Sequence, residues 1–160
     1  MTARHLSLTF QTPDTTRDFA TALARTLRLG DVVLLSGNVG SGKTHFARSL
    51  IQSLLITPED VPSPTFTLVQ TYETQRGPIW HADLYRLTSV SEIEELGLTD
   101  AFIDAICLVE WPDRLADLRP RDALDITLSA GDGEVSRQFE AVWNDPKWDA
   151  KIAGRDGRTK

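Results

Sequence analysis

Val32-Val33-Leu34-Leu35-Ser36-Gly37-Asn38-Val39-Gly40-Ser41-Gly42-Lys43-Thr44 is the stretch on which the reading of this chain turns. Four consecutive apolar residues, bounded by Gly30 and Gly37, predict a short strand buried on both faces, as in a parallel sheet. The eight residues from Gly37 match G-x-x-x-x-G-K-[ST] at every fixed position. Glycines there let the backbone curl so that successive N–H groups converge on phosphate oxygens. Phe46, Leu50, Ile51, Leu54 and Leu55 then recur at helical spacing, predicting a helix from Lys43 to Leu55. Its N-terminus adds partial positive charge aimed at the same anion. Strand, loop and helix in this order predict a nucleotide phosphate site. Asn38, Val39, Gly40, Ser41 and Gly42 would wrap the phosphates, Lys43 would reach the β and γ phosphates, and Thr44 would help hold Mg²⁺.

Working outward, the alternation of Leu6, Leu8 and Phe10 predicts a half-buried strand over residues 5–10. Pro13 opens a helix carrying Phe19, Leu23 and Leu27, which Gly30 ends. Hairpins are expected from Phe66–Tyr72 with Pro78–Tyr85, turning at Gln75-Arg76-Gly77, and from Ala123–Leu128 with Val135–Val142 around Gly131-Asp132-Gly133. Ser89 and Glu92 form a capping box before Ile93 and Leu96. Ala105–Val109 reads as a second all-apolar strand, and Pro112–Leu118 as a short helix. These elements predict an α/β domain with a mixed sheet. Residues 1–148 are expected to form one domain, and residues 149–160 a frayed polar tail.

Composition narrows the function. The 160 residues carry 17 Lys+Arg against 23 Asp+Glu, a net charge of −6, which disfavours a protein gripping nucleic acid alone. Cys107 is the only cysteine, so neither a disulfide framework nor a cysteine zinc cluster is expected. There is no run of about 20 apolar residues to span a bilayer, and Met1–Leu6 holds no apolar signal core; the expectation is a cytoplasmic protein without a membrane role. No Asn-Lys-x-Asp element occurs, which favours ATP over GTP. A carboxylate is needed near the metal, and there are two candidates: Glu110, at the carboxyl end of the strand Ile106-Cys107-Leu108-Val109, and Asp83, after Ile79-Trp80-His81-Ala82 within the second hairpin strand. Glu110 is expected as the main metal-site acid and Asp83 as a second acid facing metal-bound or attacking water.

Ser63-Pro64-Thr65-Phe66, His81-Ala82-Asp83-Leu84-Tyr85-Arg86 and Val109-Glu110-Trp111-Pro112 follow the phosphate loop in that order. From about residue 6 to 130 the set resembles the TsaE (YjeE) family, bacterial ATPases of tRNA threonylcarbamoyladenosine synthesis. The resemblance implies a P-loop NTPase fold with a mixed, mainly parallel central sheet flanked by helices. It implies ATP and Mg²⁺ as cofactors and TsaD and TsaB as partners, with TsaD modifying the adenosine beside the anticodon and tRNA met only through that complex. It makes Lys43 the phosphate lysine, Thr44 and Glu110 the metal ligands, Asp83 an essential acid, and Thr65 a switch-loop sensor of the γ-phosphate. Trp111 resembles the family tryptophan beside the metal-site glutamate, either packing the strand end or touching nucleotide. Asp14-Thr15 resembles the segment that closes over the nucleotide, with Thr15 its contact. Two positions depart from the family loop: Asn38 stands for an acid, and His45 follows Thr44. His45 is expected on the helix surface. His81 and Tyr85, four apart on one strand, are expected to share a face and to pack or orient Asp83.

Two other functions use the same loop. A small-molecule kinase would add arginines clamping the transferred phosphoryl group, for which Arg114, Arg119 and Arg121 are the candidates. A nucleotide-gated binding module would use ATP to control docking, with hydrolysis incidental.

Overall fold

The computed structural model describes residues 4–38, 40–65 and 67–153. Seven strands form one sheet: β1 (Arg4–Phe10), β2 (Val32–Ser36), β3 (Val69–Thr74), β4 (Gly77–Asp83), β5 (Ile106–Glu110), β6 (Leu124–Ala130) and β7 (Arg137–Trp143), in the order β1-β7-β6-β2-β5-β4-β3. The four central strands β6-β2-β5-β4 are parallel to one another, while β1–β7, β7–β6 and β3–β4 pair antiparallel. The expected mixed sheet with a parallel centre and two hairpins is therefore present.

Helices cover both faces. Val33, Leu35, Ile106 and Leu108 join α1 (Pro13–Ala24) and α2 (Lys43–Gln52) in one core, through Phe19, Leu23, Phe46 and Leu50. Val32, Leu34, Cys107 and Val109 point the other way, toward α3 (Val90–Glu95), α4 (Leu98–Asp104) and the 3₁₀ segment Pro112–Leu118. This two-sided burial is what the unbroken apolar runs of β2 and β5 encode. Burial, with the nearby Asp104 charge, pushes the Cys107 thiol up to about 12. At pH 8 only about 10⁻⁴ of it is thiolate, so a maleimide should leave the native protein unlabelled and label it fully in guanidinium. Rapid native labelling would contradict this packing.

Differences from the sequence reading have local causes. α2 stops at Gln52, because Leu55 leaves the helix to form a bridge with Thr74. β3 begins at Val69, because Leu68 has φ 70° and its N–H bonds to Pro64 O at 2.7 Å; the expected strand start, Phe66, lies outside the described residues. α4 was not anticipated, since seven residues are too few for periodicity to show. The expected polar tail also changes. α5 (Lys147–Ala153) is a helix whose Trp148 and Ile152 are buried in the α1–α2 core, and residues 154–160 lie outside the described residues.

An ionic clasp holds α5. Asp31, buried at the start of β2, accepts from Arg28 N and pairs with Lys147 (3.1 Å) and Lys151, whose ammonium groups flank the Trp148 ring. Burial would lower the Lys147 pKa, but bonds to Asp31 and Asp122 outweigh it and hold the pKa above its ordinary value. The clasp therefore persists below the lysine range and is lost as pH climbs through it. Asp31→Ala leaves Lys151 facing the Trp148 ring without its carboxylate and Lys147 with Asp122 alone. It should cost about 3 kcal/mol and lower the melting temperature by roughly 6–12 °C; an unchanged melting curve would refute the clasp.

Candidate functional site

The carboxyl ends of the parallel strands carry the site. After β2 the chain enters the loop through Gly37 (φ 143°), Gly40 (φ 84°) and Gly42 (φ 106°). A Cβ on Gly37 would stand 2.4 Å from Leu128 O and 2.5 Å from Ser41 Oγ, so only glycine fits. Gly42 caps α2 in the left-handed region without a side-chain cap, leaving the first helical N–H groups directed at the loop. Ser41 Oγ is buried inside the cradle without a hydrogen-bond partner among the described residues.

A cavity of about 500 Å³ opens beside this loop, lined by Asn38, Gly40, Gly42, Lys43, Thr44 and His45 on one side. Ser63, Thr65, Asp83, Tyr85, Glu110 and Trp111 line the other side. Lys43 is 5% exposed. Its Nζ donates to Gly37 O at 2.5 Å and stands 4.4 Å from the centre of the Trp111 ring. Burial pulls the Lys43 pKa below its ordinary value, while the Glu110 and Asp83 charges pull it back up. Trp111 itself has φ 60°, a left-handed strand exit that swings its ring over the lysine and against Tyr85, with ring centres 4.8 Å apart.

Asp83 and Glu110 end β4 and β5 as register partners, both buried and on the sheet face that α2 covers. Asp83 accepts from Thr65 Oγ1 (3.2 Å) and Tyr85 N (2.9 Å), and Thr65 Oγ1 is bonded to Ser63 Oγ at 2.8 Å. The Ser63–Thr65 loop is thus tied to one acid. The other acid has a different tie: His81 Nε2 lies 2.7 Å from Glu110 Oε2. His81 was expected beside Asp83, sharing a strand face with Tyr85. Instead β4 ends at Asp83, so Tyr85 lies beyond the strand and is half exposed, and the inward-facing His81 meets Glu110 across the sheet.

The remaining expected residues divide. Asn38, Gly40, Gly42, Lys43, Thr44, Thr65, Asp83, Glu110 and Trp111 all line the cavity, and Ser41 lies within the loop. Val39 lies outside the described residues. Thr15 does not line the cavity; it sits on the first turn of α1, its N–H and hydroxyl bonded to the cap Thr12. His45 is not a bare surface residue, because its Nε2 is 3.0 Å from Pro13 O and ties α2 to the start of α1. Neither Arg114, bonded to Tyr85 O, nor Arg119, paired with Asp125, lines the cavity. Arg137 was not anticipated. From the start of β7 its guanidinium donates to Gly40 O at 3.2 Å, while its stem packs over Gly42. A second cavity of about 210 Å³, lined by Pro13, Thr16, Gly42, His45, Leu128, Val135 and Arg137, adjoins the loop there.

Chemically, the cradle of backbone N–H groups, a buried ammonium and an unpartnered hydroxyl suit a polyphosphate anion. The paired acids and Thr44 supply the hard oxygens that a divalent cation takes.

Comparisons with known proteins agree with this assembly. The family model for the threonylcarbamoyl adenosine biosynthesis protein TsaE matches residues 10–139. A tRNA threonylcarbamoyladenosine biosynthesis protein TsaE from Rickettsia bellii is 41% identical over 119 residues, covering 74% of this chain and 83% of that protein. The Bacillus subtilis TsaE is 38% identical over 134 residues, covering 82% and 83%. The crystal structure of Bacillus subtilis YdiB superposes with a TM-score of 0.75 over 96% of this chain and 95% of that one, at 22% identity, so it shares the fold. On its sequence, the chain belongs to the TsaE family of threonylcarbamoyl adenosine biosynthesis proteins.

Proposed function

We propose that this chain is a Mg²⁺-dependent ATPase that supports a TsaD–TsaB complex in threonylcarbamoyladenosine modification of tRNA. The observation carrying this reading is the convergence of a phosphate loop, Lys43, Asp83 and Glu110 on one cavity. Its net charge of −6 supports tRNA being held by the partners rather than by this chain.

In this reading the loop N–H groups and Lys43 bind the phosphates of ATP, Lys43 exchanging Gly37 O for phosphate oxygen. Among the described residues no three His, Cys, Asp or Glu side chains gather as a metal site, so Thr44, Glu110 and the phosphates together would hold the cation. When bound, Mg²⁺ neutralises charge developing on the phosphate oxygens. Asp83 orients the attacking water, and Thr65, already bonded to Asp83, reports the γ-phosphate to the Ser63–Thr65 loop. ATP orders that loop into a docking surface and hydrolysis loosens it. Trp111 shields the lysine from bulk water. No helix among the described residues is long and apolar enough to cross a membrane, consistent with work in the cytoplasm.

The test is phosphate release from ATP by the purified chain, alone and with TsaD–TsaB, with no phosphoryl acceptor added. Release that rises with the partners, and vanishes in Lys43→Ala, is expected. Release indifferent to the partners would sink the pathway role, and release that requires a small-molecule acceptor would make the chain a kinase.

A further inference from the structure

His81 is fully buried, yet it is not packed as a core residue would be. Its Nε2 meets Glu110 Oε2 at 2.7 Å, while Nδ1 has no partner among the described residues. Burying an imidazole with one nitrogen unsatisfied costs stability, whereas an apolar side chain of similar size would fill the space without that cost. The single bond His81 makes is to the acid at the end of the neighbouring strand. A carboxylate only accepts, so Nε2 carries the proton and donates. The placement is enforced by the sheet: His81 is in register with Leu108, and Glu110 lies two residues on, on the same face.

We infer that His81 is a positioning residue for the cation site, orienting the Glu110 carboxylate by holding its Oε2 so that Oε1 is the oxygen presented to the cavity. This rests on the ATPase reading above. A carboxylate on a flexible stem loses rotamer freedom when it ligates a cation, and a buried donor across the ladder removes that cost beforehand. Asp83 needs no such help from His81, because Thr65 and Tyr85 N already hold both its oxygens.

The test measures ADP affinity by calorimetry in the full chain, first in EDTA and then across a Mg²⁺ titration. His81→Leu should leave metal-free ADP affinity within about 2-fold and raise the Mg²⁺ needed for half-maximal effect by about 10-fold or more. His81→Gln, whose amide can still donate, should recover most of the shift. In a Glu110→Gln background, His81→Leu should add nothing. Melting curves without nucleotide serve as the folding control, and His81→Asn, whose shorter amide falls short of Oε2, replaces His81→Leu if that variant does not fold. An unchanged Mg²⁺ requirement, an equal fall in metal-free and metal-dependent affinity, or a full further effect on the Glu110→Gln background would each overturn the assignment. No MgADP binding by the native chain would instead overturn the ATPase reading, and this inference with it.

Discussion

Lys43→Ala is expected to abolish measurable phosphate release and to weaken ADP binding by about 10- to 100-fold. The binding loss corresponds to about 1.5–3 kcal/mol for a hydrogen bond between charged groups. The rate loss is larger, about 100- to 1,000-fold, if the ammonium meets charge that develops only as the phosphoryl group departs. Stability should move the other way. Burial holds the Lys43 pKa down, so below that pKa its charge costs the fold stability, and the cost fades as pH rises through it. The nucleotide-free variant should therefore melt no lower than the native protein near neutral pH, as expected where stability is traded for function. A variant that binds ADP normally would remove Lys43 from the site. One that melts far lower would show that the lysine is part of the scaffold instead.

The second large effect is expected from Asp83→Asn, which keeps shape and removes charge. The amide oxygen can retain the bond from Tyr85 N, and the amide nitrogen can donate to Thr65 Oγ1, which now accepts. The loop tie should thus survive while the capacity to orient or accept a proton from water does not. The rate of phosphate release should fall by about 100- to 1,000-fold, with ADP affinity within about 3-fold of native. That split differs from the one expected at Glu110, where Gln should raise the Mg²⁺ requirement. If Asp83→Asn hydrolysed ATP at the native rate, Asp83 would be a loop anchor alone.

Much of this was legible in the sequence, for reasons of range. The apolar runs of β2 and β5, the glycine spacing of the loop and the acid ending β5 are encoded within a few residues of themselves, and each stands where its local pattern indicates. The His81–Glu110 bond joins positions 29 apart, and the Arg137–Gly40 bond positions 97 apart. The first joins adjacent strands β4 and β5, the second reaches from β7 past β6 to the loop after β2, and strand order is not written in any one segment. His81 thus reads locally as a neighbour of Asp83 and Tyr85, since alternation along a strand was the only geometry in view. The early end of β4 and the left-handed turns at Leu68 and Trp111 depend on packing, because neither residue type favours that conformation. Thr15 does not line the cavity, and the start of α1 is tied to α2 through His45 and Pro13 O instead.

Asp83 and Glu110 are held side by side by the ladder between two interior strands, not by contact with one another. Their separation is therefore set by the hydrogen-bonded centre of the sheet. Amide protons of β5 should exchange with deuterium only when the whole chain unfolds, and nucleotide should slow them only by the amount it raises global stability. The Gly40–Gly42, Ser63 and Thr65 amides should be protected locally on binding. A partner that alters turnover by reshaping this site would act through those loops, because the spacing of the acids cannot be retuned without opening the sheet.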